Sequence, residues 1–223
     1  VDCANGAAYR VGPDGLEGLG AEVTAIGVEP DGENINLGCG ALHPEPLAEH
    51  VKRQGAHIGV AVDGDGDRCI LVDENGSIVD GDEIMAMVGV DLHRRGALPG
   101  AGIVATVMSN VGLEVALHEH GIHLVRVAVG DRYVVEEMQR SGYAFGGEQS
   151  GHIILAEHLP TGDGLATALA VLRGMAGFLL LSRINSRNSS VFWESERRLR
   201  SRRFDKSRRL LQTARVADPN LTA

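Results

Sequence analysis

The stretch Ile58-Gly59-Val60-Ala61-Val62-Asp63-Gly64-Asp65-Gly66-Asp67-Arg68-Cys69-Ile70-Leu71-Val72 places two short apolar runs on either side of a loop of acids and glycines. Continuous apolar runs of this length, bounded by turn residues, predict buried strands, here over Ile58–Val62 and Cys69–Val72. A turn at Glu74-Asn75-Gly76 then leads into Ile78-Val79. The three carboxylates between the strands, separated only by glycines, repel one another unless a cation neutralises them. The glycines let the backbone wrap so that the side chains converge, and hard oxygen donors select Mg²⁺ or Ca²⁺. Asp63, Asp65 and Asp67 are therefore the candidate metal ligands.

A calcium-binding EF-hand loop competes for the same residues. Asp63, Asp65, Asp67 and Glu74 fit its acidic positions, and Ile70 fits its apolar one. Arg68, however, stands where that loop needs glycine for a sharp turn, and its flanks read as strands where helices are required. The EF-hand reading fails. Arg68 instead suits a phosphate lying beside a carboxylate-bound metal, because its planar fork grips phosphate oxygens.

Outward from this loop, strand and helix patterns alternate. Upstream, helix Pro13–Leu19 precedes strand Glu22–Val28, and Pro44 opens a helix through Lys52 that stops at Gly55. Downstream come helix Asp82–Arg95, strand Ile103–Val107, helix Val111–His120, strand Ile122–Val127, helix Arg132–Arg140, strand Tyr143–Phe145 and helix Gly164–Met175. Such alternation predicts a layered α/β protein with largely parallel or mixed sheets. The seam near Asp80-Gly81-Asp82 divides it into 1–81 and 82–180, with 181–223 as a separate basic tail. The expected fold class is two consecutive three-layer α/β/α domains with mixed sheets, followed by that Arg-rich tail.

Charge is unevenly distributed. Residues 1–181 hold 10 basic and 26 acidic side chains, net −16, whereas residues 182–223 hold 11 basic and 4 acidic, net +7. The acidic body offers no general surface for nucleic acid, and the tail reads as a solvated extension. No apolar run approaches the roughly 20 residues a membrane span needs. Cys3, Cys39 and Cys69 lack the paired spacing of a zinc site and read as buried reduced thiols of a cytoplasmic protein. His118, His120 and His123 read as surface groups, and Asp131-Arg132 as a capping and ion-pair feature at a helix start. The segment Gly146-Gly147-Glu148-Gln149-Ser150-Gly151-His152 is dense in hydrogen-bonding groups on a flexible backbone, as carbohydrate contact requires; taken alone, Gly146-Gly147 fits an ordinary turn after a strand equally well, and His152 a structural histidine.

Three motifs in order, Asp63-Gly64-Asp65-Gly66-Asp67-Arg68, Val129-Gly130-Asp131-Arg132-Tyr133-Val134 and Gly146 through His152, closely resemble the α-D-phosphohexomutase family. Val1 through Ala7, Asn34-Ile35-Asn36, Val79 through Asp82, Met108-Ser109-Asn110 and Thr161 through Gly164 support the resemblance over roughly residues 1 to 176. It implies four domains, of which this chain holds the second and third. The phosphoserine domain and the C-terminal phosphate-gripping domain, its first and fourth, are then missing partners, so no nucleophile is expected here. By motif match Asp63, Asp65 and Asp67 hold Mg²⁺, with Arg68 beside the reacting phosphate. Gly147, Glu148, Ser150 and His152 bind the phosphosugar, Glu148 and Ser150 through its hydroxyls or amine, with His152 near the reacting centre. The implied reaction of the complete enzyme converts glucosamine 6-phosphate to glucosamine 1-phosphate for cell-wall precursor synthesis. It runs through a 1,6-bisphosphate, which also serves as activator. Glucose or mannose phosphate remains an alternative substrate, and a non-catalytic phosphosugar-binding module an alternative class.

Overall fold

The computed structural model describes residues 1–185, with side chains through residue 176. Its elements are helices α1 (Val11–Gly18), α2 (Glu45–Gln54), α3 (Gly81–Arg94), α4 (Val111–His118), α5 (Asp131–Ser141) and α6 (Gly164–Asn185). The strands are β1 (Ile58–Val62), β2 (Cys69–Asp73), β3 (Ile78–Val79), β4 (Gly102–Thr106), β5 (His123–Val127), β6 (Phe145–Gly147) and β7 (Ile153–Leu155).

Strands β1, β2 and β3 form an antiparallel sheet, and Asp2 adds to its edge by bridging Ala61 and Ile26 in parallel. The second sheet has the order β5-β4-β6-β7, parallel across its first three strands and antiparallel at β7. Both sheets are thus mixed.

Side-chain alternation sorts each strand between two faces. From β1 and β2, Ala61, Ile70 and Val72 pack with Leu47, Ala48 and Val51 of α2. Val60, Cys69 and Leu71 point the other way, into a cluster containing Ile84, Met85 and Val88 of α3 and Ala168 and Val171 of α6. The same cluster takes Ile103 and Ala105 of β4, Phe145 of β6 and Ile153 and Leu155 of β7. Val104 and Ile154 face the opposite side, against Val134 and Met138 of α5. Each sheet therefore has helices on both faces, and the core around α3 and α6 runs unbroken from one sheet to the other.

The helix boundaries follow local chemistry. α2 begins after Pro44 and ends at Gly55, whose left-handed φ of 63° closes the helix. Asp80 caps α3 in a reciprocal box with Glu83.

Several expectations need correction. No strand forms over Glu22–Val28; Ile26 alone bridges Asp2, because Gly27 turns left-handed with φ 63° and the segment stays half-exposed. The third predicted strand of the second half begins at Phe145, not Tyr143, and β7 had no counterpart in the sequence reading. α6 continues ten residues past the predicted Met175 to Asn185. The thiol of Cys39 is half-buried where burial was expected; Cys3 and Cys69 are buried and all three are free. Of the Arg-rich tail, residues 186–223 lie outside the described residues.

Candidate functional site

The acidic loop is a tight turn. Gly66 N donates to Asp63 O at 3.0 Å, and Arg68 N donates to Asp63 Oδ1 at 3.1 Å, so the buried Asp63 side chain closes the turn it begins. Ligand atoms of Asp63, Asp65 and Asp67 all lie within 4.8 Å of one another. Burial, followed by repulsion from Asp67 and Asp65, raises the Asp63 pKa, while the Arg68 backbone N–H opposes that rise. Asp67 Oδ1 is buried without a hydrogen-bond partner. Crowded hard oxygens, one of them orphaned, are a donor set suited to a small divalent cation. Arg68 Nε stands 3.5 Å from Asp63 Oδ2 and 3.8 Å from Asp67 Oδ1, with the side chain 38% exposed.

Close backbone packing fixes this turn from outside. Ala7 N donates to Gly64 O at 2.8 Å, and Gly164 N, at the start of α6, donates to Gly66 O at 2.8 Å. A Cβ at Gly164 would stand 2.2 Å from the Arg68 carbonyl oxygen, so only glycine fits.

The polar segment after β6 is a second tight turn, joining β6 to β7. Glu148 N donates to His152 O at 2.9 Å and Gly151 N to Glu148 O at 3.0 Å. Glu148 Oε1 accepts from Gly130 N at 3.1 Å, which draws the β5–α5 loop to it. The turn rests on the start of α3, where Gly81 N donates to Gln149 O at 3.0 Å.

The two turns meet. Arg68 and His152 form an antiparallel bridge, Cys69 N donates to Gly151 O at 3.0 Å, and His152 Nδ1 lies 3.1 Å from Asp67 Oδ2. Of the residues the sequence singled out, Asp63, Asp65, Asp67, Arg68, Glu148 and His152 thus gather in one region. Ser150 is exposed at the tip of its turn. Gly147 is buried within β6, paired with Ala105 and Ile153. His152 is buried and holds Asp67. His118, His120 and His123 are exposed, and Arg132 pairs with Glu136 at 2.7 Å. Gly130 was not singled out, only Asp131-Arg132 after it; its donation to Glu148 joins it to the sugar loop, and its place in the second of the three motifs was the available signal.

Residues 1–76 match phosphoglucomutase/phosphomannomutase alpha/beta/alpha domain II, and residues 80–188 match alpha/beta/alpha domain III. The chain belongs to the phosphoglucomutase/phosphomannomutase family. The resemblance read from the three motifs holds, and the match reaches into the basic stretch that the sequence set apart. Among relatives in the family, a phosphoglucosamine mutase of Anaeromyxobacter sp. (strain Fw109-5) is 62% identical over 175 residues, covering 78% of this chain and 37% of that protein. The phosphoglucosamine mutase of Syntrophotalea carbinolica is 58% identical over 172 residues, covering 77% and 38%. The crystal structure of a phosphoglucomutase/phosphomannomutase family protein from Burkholderia thailandensis superposes with a TM-score of 0.68 at 27% identity, covering 78% of this chain and 39% of that one. The chain therefore spans less than two thirds of the length of the curated relatives it matches.

Proposed function

We propose that this chain carries the metal loop and the sugar loop of a phosphoglucosamine mutase, which interconverts glucosamine 6-phosphate and glucosamine 1-phosphate. The observation that carries the reading is the contact of 3.1 Å between His152 Nδ1 and Asp67 Oδ2, which joins a carboxylate cluster to a sugar-type polar turn. The name of relatives at 58–62% identity supports the substrate. Residues 1–81 form the metal-loop unit and residues 82–180 the sugar-loop unit; the phosphoserine and the remaining phosphate grip belong to the rest of the enzyme. The isomerisation passes a phosphoryl group from that serine to the sugar and recovers one from the 1,6-bisphosphate.

Mg²⁺ bound by Asp63, Asp65 and Asp67 supplies Lewis-acid neutralisation of phosphoryl oxygens. Arg68 adds a fixed cation for the same oxygens, where developing charge must be met by groups already in place. Glu148, with Ser150 at the exposed tip, accepts and donates hydrogen bonds to sugar hydroxyls or the amine, and Gly130 holds the Glu148 carboxylate toward the site. His152 keeps Asp67 oriented for the metal, a supporting contact of the kind ligands need. Among the described residues no helix is long and apolar enough to cross a membrane, and the free thiols fit a cytoplasmic setting.

Calorimetric titration of the 223-residue chain with Mg²⁺, then with glucosamine, glucose and mannose 6-phosphates, tests this reading. The expected result is weak saturable Mg²⁺ binding lost in Asp65→Asn, glucosamine phosphate preferred, and sugar binding lost in Glu148→Ala. Absence of Mg²⁺ binding, or sugar binding indifferent to Glu148→Ala, sinks it.

A further inference from the structure

Beyond the two turns, a wholly buried acidic side chain at the start of α3 faces the loop between β4 and α4. Asp82 lies in the first turn of α3, fully inaccessible to solvent. Its Oδ2 accepts from Asn110 N at 2.8 Å. Asp82 Oδ1 and the Ser109 hydroxyl oxygen are each buried without a hydrogen-bond partner among the described residues, and the nearby hydroxyl favours the ionised form of the carboxyl. From the other side Arg126 of β5 donates to Ser109 O at 2.7 Å and to Asn110 O at 3.3 Å. The β4–α4 loop, Val107–Asn110, is thus held between a carboxylate and a guanidinium. It leaves the carboxyl end of β4, beside β6, whose end carries Glu148. Ligands of open α/β sheets sit at that edge. The residue before Asp82 already supports the sugar turn, Gly81 N donating to Gln149 O.

The geometry points to Asp82 as a positioning residue for the phosphosugar site: it locks the β4–α4 loop, with exposed Val107 and Met108, at the edge occupied by Glu148. The inference rests on the phosphosugar reading above. A buried carboxylate is costly, and its retention is accounted for by a loop that must not move. Burial is the main cause that pushes the Asp82 carboxyl up to about 6; the Asn110 N–H and the Ser109 hydroxyl oppose it, as does Arg126, while Asp80 adds to it. Glu114 of α4 pairs with Arg126 at 3.2 Å, tempering that cation.

The test uses the whole 223-residue chain, with Asp82→Ala and the near-isosteric Asp82→Asn. The amide proton of Asn110 is followed by NMR against pH without ligand, because a sugar phosphate itself titrates near pH 6 and would mask the group. Glucosamine 6-phosphate and Mg²⁺ are then titrated separately. The expected result is an Asn110 amide that titrates in the parent chain and not in Asp82→Asn. In Asp82→Ala sugar binding weakens roughly tenfold, as displaced site groups do, with Mg²⁺ affinity unchanged. If both variants bind the sugar as the parent does, the role of Asp82 is overturned and the phosphosugar reading stands. If the parent itself binds no sugar phosphate, that reading fails and this inference falls with it.

Discussion

Arg68 and His152 pair backbone to backbone although they stand at the ends of two loops far apart in the chain, and the His152 ring reaches Asp67 next door. One histidine therefore touches the acidic cluster by side chain and its neighbour by main chain. Its replacement should be felt in both stability and metal affinity.

His152→Ala removes a buried ring and its contact with Asp67. Chemical denaturation should show a loss of about 2–3 kcal/mol, and Mg²⁺ affinity should fall roughly tenfold, as when a ligand's supporting group is lost. An unchanged Mg²⁺ affinity in a folded variant would separate His152 from the metal loop.

Asp65→Asn takes one charge from the exposed corner of the carboxylate cluster. Without metal the variant should melt no lower than the parent, since repulsion on Asp63 is relieved. With metal it should gain little, its Mg²⁺ affinity being down more than roughly tenfold. Thermal melts with and without Mg²⁺ check both arms.

Two glycines should respond in opposite directions. Gly164→Ala forces a Cβ to 2.2 Å from the Arg68 carbonyl, and should cost more than about 3 kcal/mol or prevent folding. Gly15→Ala, inside α1 with open space around it, should stabilise by about 0.5–1 kcal/mol. Paired denaturation curves settle the contrast.

Asp82 makes stability depend on pH. Its folded pKa, about 6, lies above the ordinary carboxyl value of 3.8, with burial the main cause. Between these values the native protein keeps a proton that the unfolded chain releases, so stability present below the lower value is lost as pH rises through the upper one, by about 3 kcal/mol. The uncharged Asp82→Asn should accordingly be more stable than the parent above about pH 7, with the margin shrinking toward about pH 4. A margin that does not change with pH would place the cost elsewhere.

What could be read from the residues depended on how local the cause was. β1 and β2 were legible because both faces are buried, which leaves uninterrupted apolar runs. Asp63, Asp65 and Asp67 were legible as chemistry because their crowding is visible in the chain itself. β7 is only three residues long and owes its existence to pairing with β6, so no periodicity announced it. The segment Glu22–Val28 has strand-like residues but lacks a strand to lie beside. The link from His152 to Asp67 spans 85 positions, and Asp82 looked like an ordinary first-turn acid; neither burial nor partner is written locally.

Gly164 fastens the root of a 22-residue helix to the carbonyl of Gly66, in the middle of the carboxylate turn. A helix of that length reaches about 33 Å, so a tilt at its root is magnified at its far end. α6 is in effect a pointer whose bearing is set where the acidic side chains gather.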